Sequence, residues 1–216
     1  MCGKFTQMMS WGAYVTLADF VGAPEGPCET VTPMRFATVL RRGVKGAREA
    51  VRMRWGLVPR GAKDPNRSPF IHARADTIDE RPTFADAFRH RRGLVVVRTF
   101  NEGKEIAPRR TEQHTIMPND GKPVAIAVIW ERWGEPHGAM LESFAMVTVE
   151  ANRLIGTITD RMPAIVQPDQ WAKWLGEEPA GGEELKAMLT PFEGDWTMRP
   201  EKPRPQNGAQ TELPLL

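Results

Sequence analysis

The chain opens Met1-Cys2-Gly3-Lys4-Phe5-Thr6, and its second residue is the one whose type and position could do chemistry. A small side chain behind the initiator methionine favours removal of Met1, which leaves Cys2 with a free α-amine beside its thiol. That amine has a reference pKa of roughly 7.7–8.0, so much of it is unprotonated near neutrality. A neighbouring ammonium in turn favours the thiolate, the reactive form of sulfur. Together the two groups can condense with an aldehyde, the amine forming an imine and the thiol closing a five-membered thiazolidine. The thiol can also attack a carbonyl as an ordinary cysteine nucleophile. The competing reading is a loose terminus with an incidental cysteine, because chain ends are usually poorly ordered.

Composition narrows the setting. A chain of 216 residues, 41% hydrophobic, suits one domain with a substantial core. A net charge of +2 is a weak basic bias that permits nucleic-acid binding without arguing strongly for it. Arg89, Arg91 and Arg92 cluster around His90, Arg52 and Arg54 alternate, and Arg109-Arg110 form a pair. Such runs are more often solvated faces than binding patches. The two cysteines, Cys2 and Cys28, make neither a disulfide framework nor a zinc-ligand spacing, and no metal or organic cofactor is indicated. The N-terminus lacks a basic, apolar leader and no apolar run reaches membrane-spanning length. The expectation is a soluble cytoplasmic protein, associated with the nucleoid if it binds DNA.

The elements that must position Cys2 follow from periodicity. Residues 11–22 have helical apolar spacing, and 36–41 and 49–58 read as strands separated by a polar turn. A Pro/Gly-rich loop covers 59–69, and Thr77 to Arg89 reads as a helix with Phe84, Ala87 and Phe88 inward. Residues 94–97, 100–106, 123–130 and 144–149 read as strands, followed by short helices near 151–156, 168–175 and 182–190. Strands outnumber helices without regular alternation, which predicts an α+β single domain around a mostly antiparallel sheet or barrel with short peripheral helices. The boundaries are 1–198 for the domain and 199–216 for a Pro-rich tail.

Several segments, in order, are similar to the SOS response-associated peptidase (SRAP) family, whose members crosslink to abasic sites in single-stranded DNA. They are the opening Met1-Cys2-Gly3-Lys4-Phe5-Thr6, then Arg54-Trp55-Gly56-Leu57-Val58-Pro59 and Ala73-Arg74-Ala75-Asp76-Thr77. Phe88 through Glu102 follows, then Asp120-Gly121-Lys122-Pro123 with Ile129-Trp130-Glu131-Arg132-Trp133, and Ala151-Asn152 with Asp160-Arg161-Met162-Pro163 completes the set. The resemblance implies that Cys2 forms a thiazolidine with the ring-opened sugar aldehyde. It implies that Glu102 assists proton transfer, a task suited to a carboxyl group, with Glu105 the alternative register. It implies that Arg74, Lys4 and Arg161 face DNA, Arg74 and Lys4 holding phosphate, and that Trp55 either stacks on a base or packs in the core. The family name further implies peptidase chemistry, including autoproteolytic removal of the leading Met, in the response to DNA damage.

The chain departs from the family pattern at places that matter. The family's Asn before Ala-Arg-Ala is His72, and its His before Asp-Arg-Met-Pro is Thr159. A threonine hydroxyl is no general acid or base near neutral pH, whereas imidazole is. Two readings stay open: His72 supplies the lost imidazole from another strand, or the site has decayed. The family's Arg after Cys-Gly is Lys4, which keeps the charge and loses the bidentate fork. The tail ends Gln210-Thr211-Glu212-Leu213-Pro214-Leu215-Leu216, similar to short peptides that dock on the bacterial sliding clamp. The leading expectation is covalent trapping of abasic sites in single-stranded or junction DNA. The alternative is a catalytically impaired DNA-binding adaptor, with the clamp as a further partner.

Overall fold

In the computed structural model, the described residues are 2–7, 29–67, 69–108, 110–134, 138 and 140–201. The helix expected over 11–22, Cys28, His137 and the clamp-like segment fall outside them.

Among the described residues thirteen strands form two sheets. The larger is built on β3 (Phe36–Arg42), β4 (Arg48–Trp55), β6 (Arg92–Val97), β9 (Val124–Gly134) and β10 (Met140–Glu150). The order β10-β4-β3-β6-β9 closes on itself through β9–β10 pairing, giving a barrel. Short strands β5 (His72–Arg74), β11 (Arg161–Pro163) and β12 (Ile165–Val166) extend it. The second sheet runs β13-β8-β7-β1-β2, from β1 (Lys4–Gln7), β2 (Glu29–Val31), β7 (Thr99–Ala107), β8 (Arg110–Pro118) and β13 (Trp196–Pro200). All pairings are antiparallel except β10 with β4 and with β5. The α+β expectation of a mostly antiparallel sheet and barrel therefore holds.

The burial pattern explains why these segments are strands. β6 from Leu94 to Val97 and β10 from Phe144 to Val149 are apolar apart from Thr148, and every residue of both stretches is buried, as befits strands covered on both faces. Leu94, Val96, Ala127, Ile129, Phe144 and Met146 meet in one core with Phe5 and Phe100 of the second sheet. Helix α1 (Pro82–His90) starts at Pro82, pre-set for a first helical turn, and buries Phe84, Ala87 and Phe88 on one stripe. Residues 77–81, expected to be helical, are turns. Helices α2 (Trp171–Leu175) and α3 (Gly182–Ala187) pack Trp171, Trp174 and Leu185 onto the core. Arg199 and Pro200, assigned to the tail by composition, instead pair in β13 with Thr115 and His114, so the folded unit continues to at least Glu201.

Candidate active site

The pocket forms where the start of β1 meets β7 and β5. Register places Lys4 opposite Asn101 and Phe5 opposite Phe100, which brings Cys2 beside the Glu102 segment. Cys2 is buried at 1% exposure, and its thiol donates to the Lys4 carbonyl at 3.4 Å. Burial, and then the Glu102 charge, push the thiol up to about 12, while backbone hydrogen bonding at Lys4 and Asn101 pulls the other way. The resting group is therefore a neutral thiol.

Glu102 is 1% exposed on β7, and burial lifts its carboxyl to about 7. The positive charge of the amino terminus and hydrogen bonding by the Cys2 backbone offset part of that rise. The nitrogen that becomes the α-amine once Met1 is removed thus faces the carboxyl group. A carboxyl titrating near neutrality can both give and take a proton at working pH.

His72 opens β5, held against Met146 of β10, and its ring stands edge-on to Trp55 at 6.1 Å between centroids. Neither ring nitrogen has a hydrogen-bond partner among the described residues. Burial lowers the imidazole to about 4, the Cys2 backbone lying against the ring and partly opposing this. His72 is neutral at pH 7. Thr159 sits in the turn before β11, its backbone N–H donating to the Ile155 carbonyl at 3.1 Å. Among the described residues no hydrogen bond joins its hydroxyl to Cys2 or His72, while the charge of the next residue, Asp160, acts on Glu102. The structure thus brings Cys2, Glu102 and His72 together.

Arg74, two residues beyond His72 on β5, is exposed and ion-paired with Asp76 at 2.6 Å, which with hydrogen bonding keeps Asp76 below the usual carboxylate range. Arg161 is 6% exposed and donates to the Thr148 carbonyl at 2.6 Å, its Nε without a partner among the described residues. It lines a cavity of about 260 Å³ with Asp76, Glu150 and Lys186. Lys4 is held by Glu201 at 2.5 Å.

Trp55 requires correction as a base-stacking residue. It is 0% exposed, its indole N–H donates to the Ile71 carbonyl at 2.8 Å, and its ring packs on Phe5 and Phe144. No nucleobase could reach it without unfolding the core. The exposed apolar side chains at that strand end are Met34, Phe36 and Phe70. The Met34 N–H donates to the Trp55 carbonyl, Phe36 pairs with Arg54, and Phe70 bridges to Leu57. Met34 holds a φ of 70°, unusual for a side-chain-bearing residue. Sequence reasoning missed this trio; the one available signal was apolar residues standing in Pro-containing turns. It also missed Asp160, whose charge acts on Glu102, Arg74 and Arg161 alike. No group of three or more His, Cys, Asp or Glu side chains among the described residues could hold a metal ion, and no helix there is long and apolar enough to cross a membrane.

A barrel that seats the cysteine at position 2 between a carboxyl raised to about 7 and a neutral imidazole defines a cysteine-centred pocket suited to carbonyl chemistry. The SOS response associated peptidase (SRAP) family model matches residues 1–203, and the chain belongs to that family. It is 29% identical over 203 residues to the abasic site processing protein YoqW of Bacillus subtilis, covering 90% of this chain and 89% of that one. It is 27% identical over 166 residues to the abasic site processing protein HMCES of Xenopus tropicalis, covering 65% of this chain and 49% of that one. A crystal structure of a protein from Bordetella bronchiseptica shares the fold with a TM-score of 0.80 at 20% identity, over 93% of this chain and 100% of that one.

Proposed function

We propose that this protein binds single-stranded DNA and captures abasic sites covalently through Cys2. The observation that carries the reading is the Cys2 backbone nitrogen facing a carboxyl raised to about 7 inside a buried pocket. Names of relatives as abasic site processing proteins support it. An abasic sugar in its open form offers an aldehyde. The α-amine adds to that carbon to give a carbinolamine, and Glu102 protonates the departing hydroxyl, so that water leaves and a protonated imine forms beside the Glu102 carboxylate. The thiol then adds to the imine carbon and gives its proton to that carboxylate, which restores the carboxyl group as the thiazolidine closes. The neutral thiol, pushed up to about 12, favours this order, with the amine as first nucleophile.

His72, neutral and with the Cys2 backbone against its ring, donates or accepts a hydrogen bond at the sugar. Arg74 and Arg161 hold phosphate, and the exposed Met34, Phe36 and Phe70 offer surfaces on which bases stack. The same residues serve autoproteolytic removal of Met1, and the setting is the response to DNA damage. Thr159, whose hydroxyl is no general acid or base near neutral pH, favours a second reading. In it the fold is a DNA-binding adaptor with an idle pocket, and the segment ending at Leu216 docks on the sliding clamp.

The test is covalent capture. Protein whose Met1 processing is verified by intact mass is incubated with single-stranded DNA bearing one abasic site, with Cys2→Ala as control. A Cys2-dependent adduct, resolved on a denaturing gel and by mass, is expected. Fully processed protein that yields no adduct would leave the adaptor.

A further inference from the structure

A polar network ties the start of β1 to β7, β8 and the end of β13. The Lys4 ammonium contacts both carboxylate oxygens of Glu201, at 2.5 and 2.7 Å, across 197 positions of chain. Glu201 is itself fixed at the end of β13, its backbone N–H donating to the Gln113 carbonyl at 2.7 Å. The Thr115 hydroxyl donates to Glu201 at 3.5 Å, and the Asn101 side-chain amide donates to that hydroxyl at 2.9 Å. Asn101 is the residue paired with Lys4 in the β1–β7 register, and it is 2% exposed. The circuit returns to residue 4, whose carbonyl accepts the Cys2 thiol.

We propose that Lys4 is a positioning residue. Its ion pair with Glu201 fixes the start of β1, and with it Cys2, against β7, and Lys4 does not hold DNA phosphate. A phosphate at Lys4 would have to displace a two-oxygen carboxylate contact, or share one ammonium with an anion anchored by its own backbone. The start of β1 also needs a tether: β1 is four residues long and described pairing to β7 covers only Lys4, Phe5 and Thr6. Lys4 and Glu201 retain 27% and 33% side-chain exposure, so the pair adds little to global stability. Its effect is local, on a reactive residue two positions from the last anchored one. The proposal rests on the reading that Cys2 is the reacting residue.

The test compares Lys4→Met, Glu201→Gln and the charge exchange Lys4→Glu with Glu201→Lys, each with Met1 removal checked by mass. Three quantities are read: the salt dependence of binding to undamaged single-stranded DNA, the rate of iodoacetamide alkylation at Cys2, and the rate of abasic-site capture. Peptide mapping separates Cys2 from Cys28. Single variants should keep the wild-type salt slope and melting temperature, alkylate Cys2 several-fold faster as it leaves its buried seat, and capture roughly ten- to a hundredfold more slowly. The exchange should restore both rates. A salt slope reduced by about 0.7 in Lys4→Met, with the exchange variant binding worse than either single, would show a phosphate contact and overturn the proposal. Unchanged alkylation in all variants would overturn it as well. Wild-type protein that forms no abasic adduct defeats the capture reading alone, since alkylation and salt slope still decide the role of Lys4.

Discussion

Glu102 and His72 flank the Cys2 backbone, and burial shifts them so that their effects on stability oppose each other. Glu102 rises from 4.5 to about 7, so the folded state holds its proton more tightly than the unfolded state does. Its stabilising contribution is complete below pH 4.5 and is lost as pH rises through about 7. His72 falls from 6.5 to about 4, so the folded state binds its proton less tightly. Its contribution is complete above pH 6.5 and is lost as pH falls through about 4. Between 4.5 and 6.5 each group tilts stability by up to roughly 1.4 kcal/mol per pH unit, with opposite sign. The wild type should therefore show little net slope from this pair, and single substitutions should unmask it. Relative to wild type, Glu102→Gln should gain roughly 3 kcal/mol as pH rises across that window, and His72→Asn should lose about as much. Taking differences removes the carboxylates common to all three proteins. Urea unfolding followed by tryptophan fluorescence at three pH values within the window, with m held constant, measures both slopes. If both variants ran parallel to the wild type, neither group would be perturbed and the proton assignments in the pocket would fail.

Other perturbations separate structure from chemistry. Glu102→Gln should slow abasic-site capture by roughly 10²- to 10⁴-fold, the range for a lost acid–base group, while DNA binding in a mobility-shift assay stays unchanged. Trp55→Ala should destabilise by about 3–5 kcal/mol in urea titration, because it empties a fully buried site against Phe5 and Phe144; a loss of DNA affinity without destabilisation would restore the stacking role. Arg74→Gln should lower the salt slope of single-strand binding by about 0.7, measured by fluorescence anisotropy across a salt series. An unchanged slope would mean that Arg74 serves Asp76 alone.

How much of this was legible depended on whether a signal was local. β9, β10 and α1 were readable because continuous apolar runs, or the stripe of Phe84, Ala87 and Phe88, are properties of a short window. β8 was not, since only His114 and Ile116 of its nine residues are buried and its sequence is otherwise polar. β5 is three residues long, too short for any period to show. β13 ends in Arg199 and Pro200, and that composition resembles a tail. Trp55 was ambiguous because an aromatic at a strand end has the same sequence signature whether it faces solvent or core. Cys2 and Glu102 were reached through spacing shared with a family, and the structure gives them their environment. The tie between Lys4 and Glu201 spans 197 positions and left no trace in either neighbourhood.

Burial shifts all three groups of the pocket: near neutrality it leaves the thiol, near 12, and the imidazole, near 4, uncharged, and divides the carboxyl, near 7, between its two forms. Such a pocket stores no thiolate, so reactivity must be generated during the reaction by moving protons. The Thr159 hydroxyl does not titrate near neutral pH, and an imidazole that protonates only near pH 4 is no acid at pH 7. On the proposed reading His72 would therefore add a hydrogen-bonding group without replacing a titrating imidazole, and the proton traffic would fall on Glu102. One carboxyl can serve both halves of thiazolidine closure, donating as water leaves and accepting as the thiol adds, only if its pKa lies near the working pH. An exposed glutamate, ionised well below neutrality, would be a poor donor. The desolvation that destabilises the Glu102 carboxylate is thus what would let a single residue carry a reaction that needs both an acid and a base.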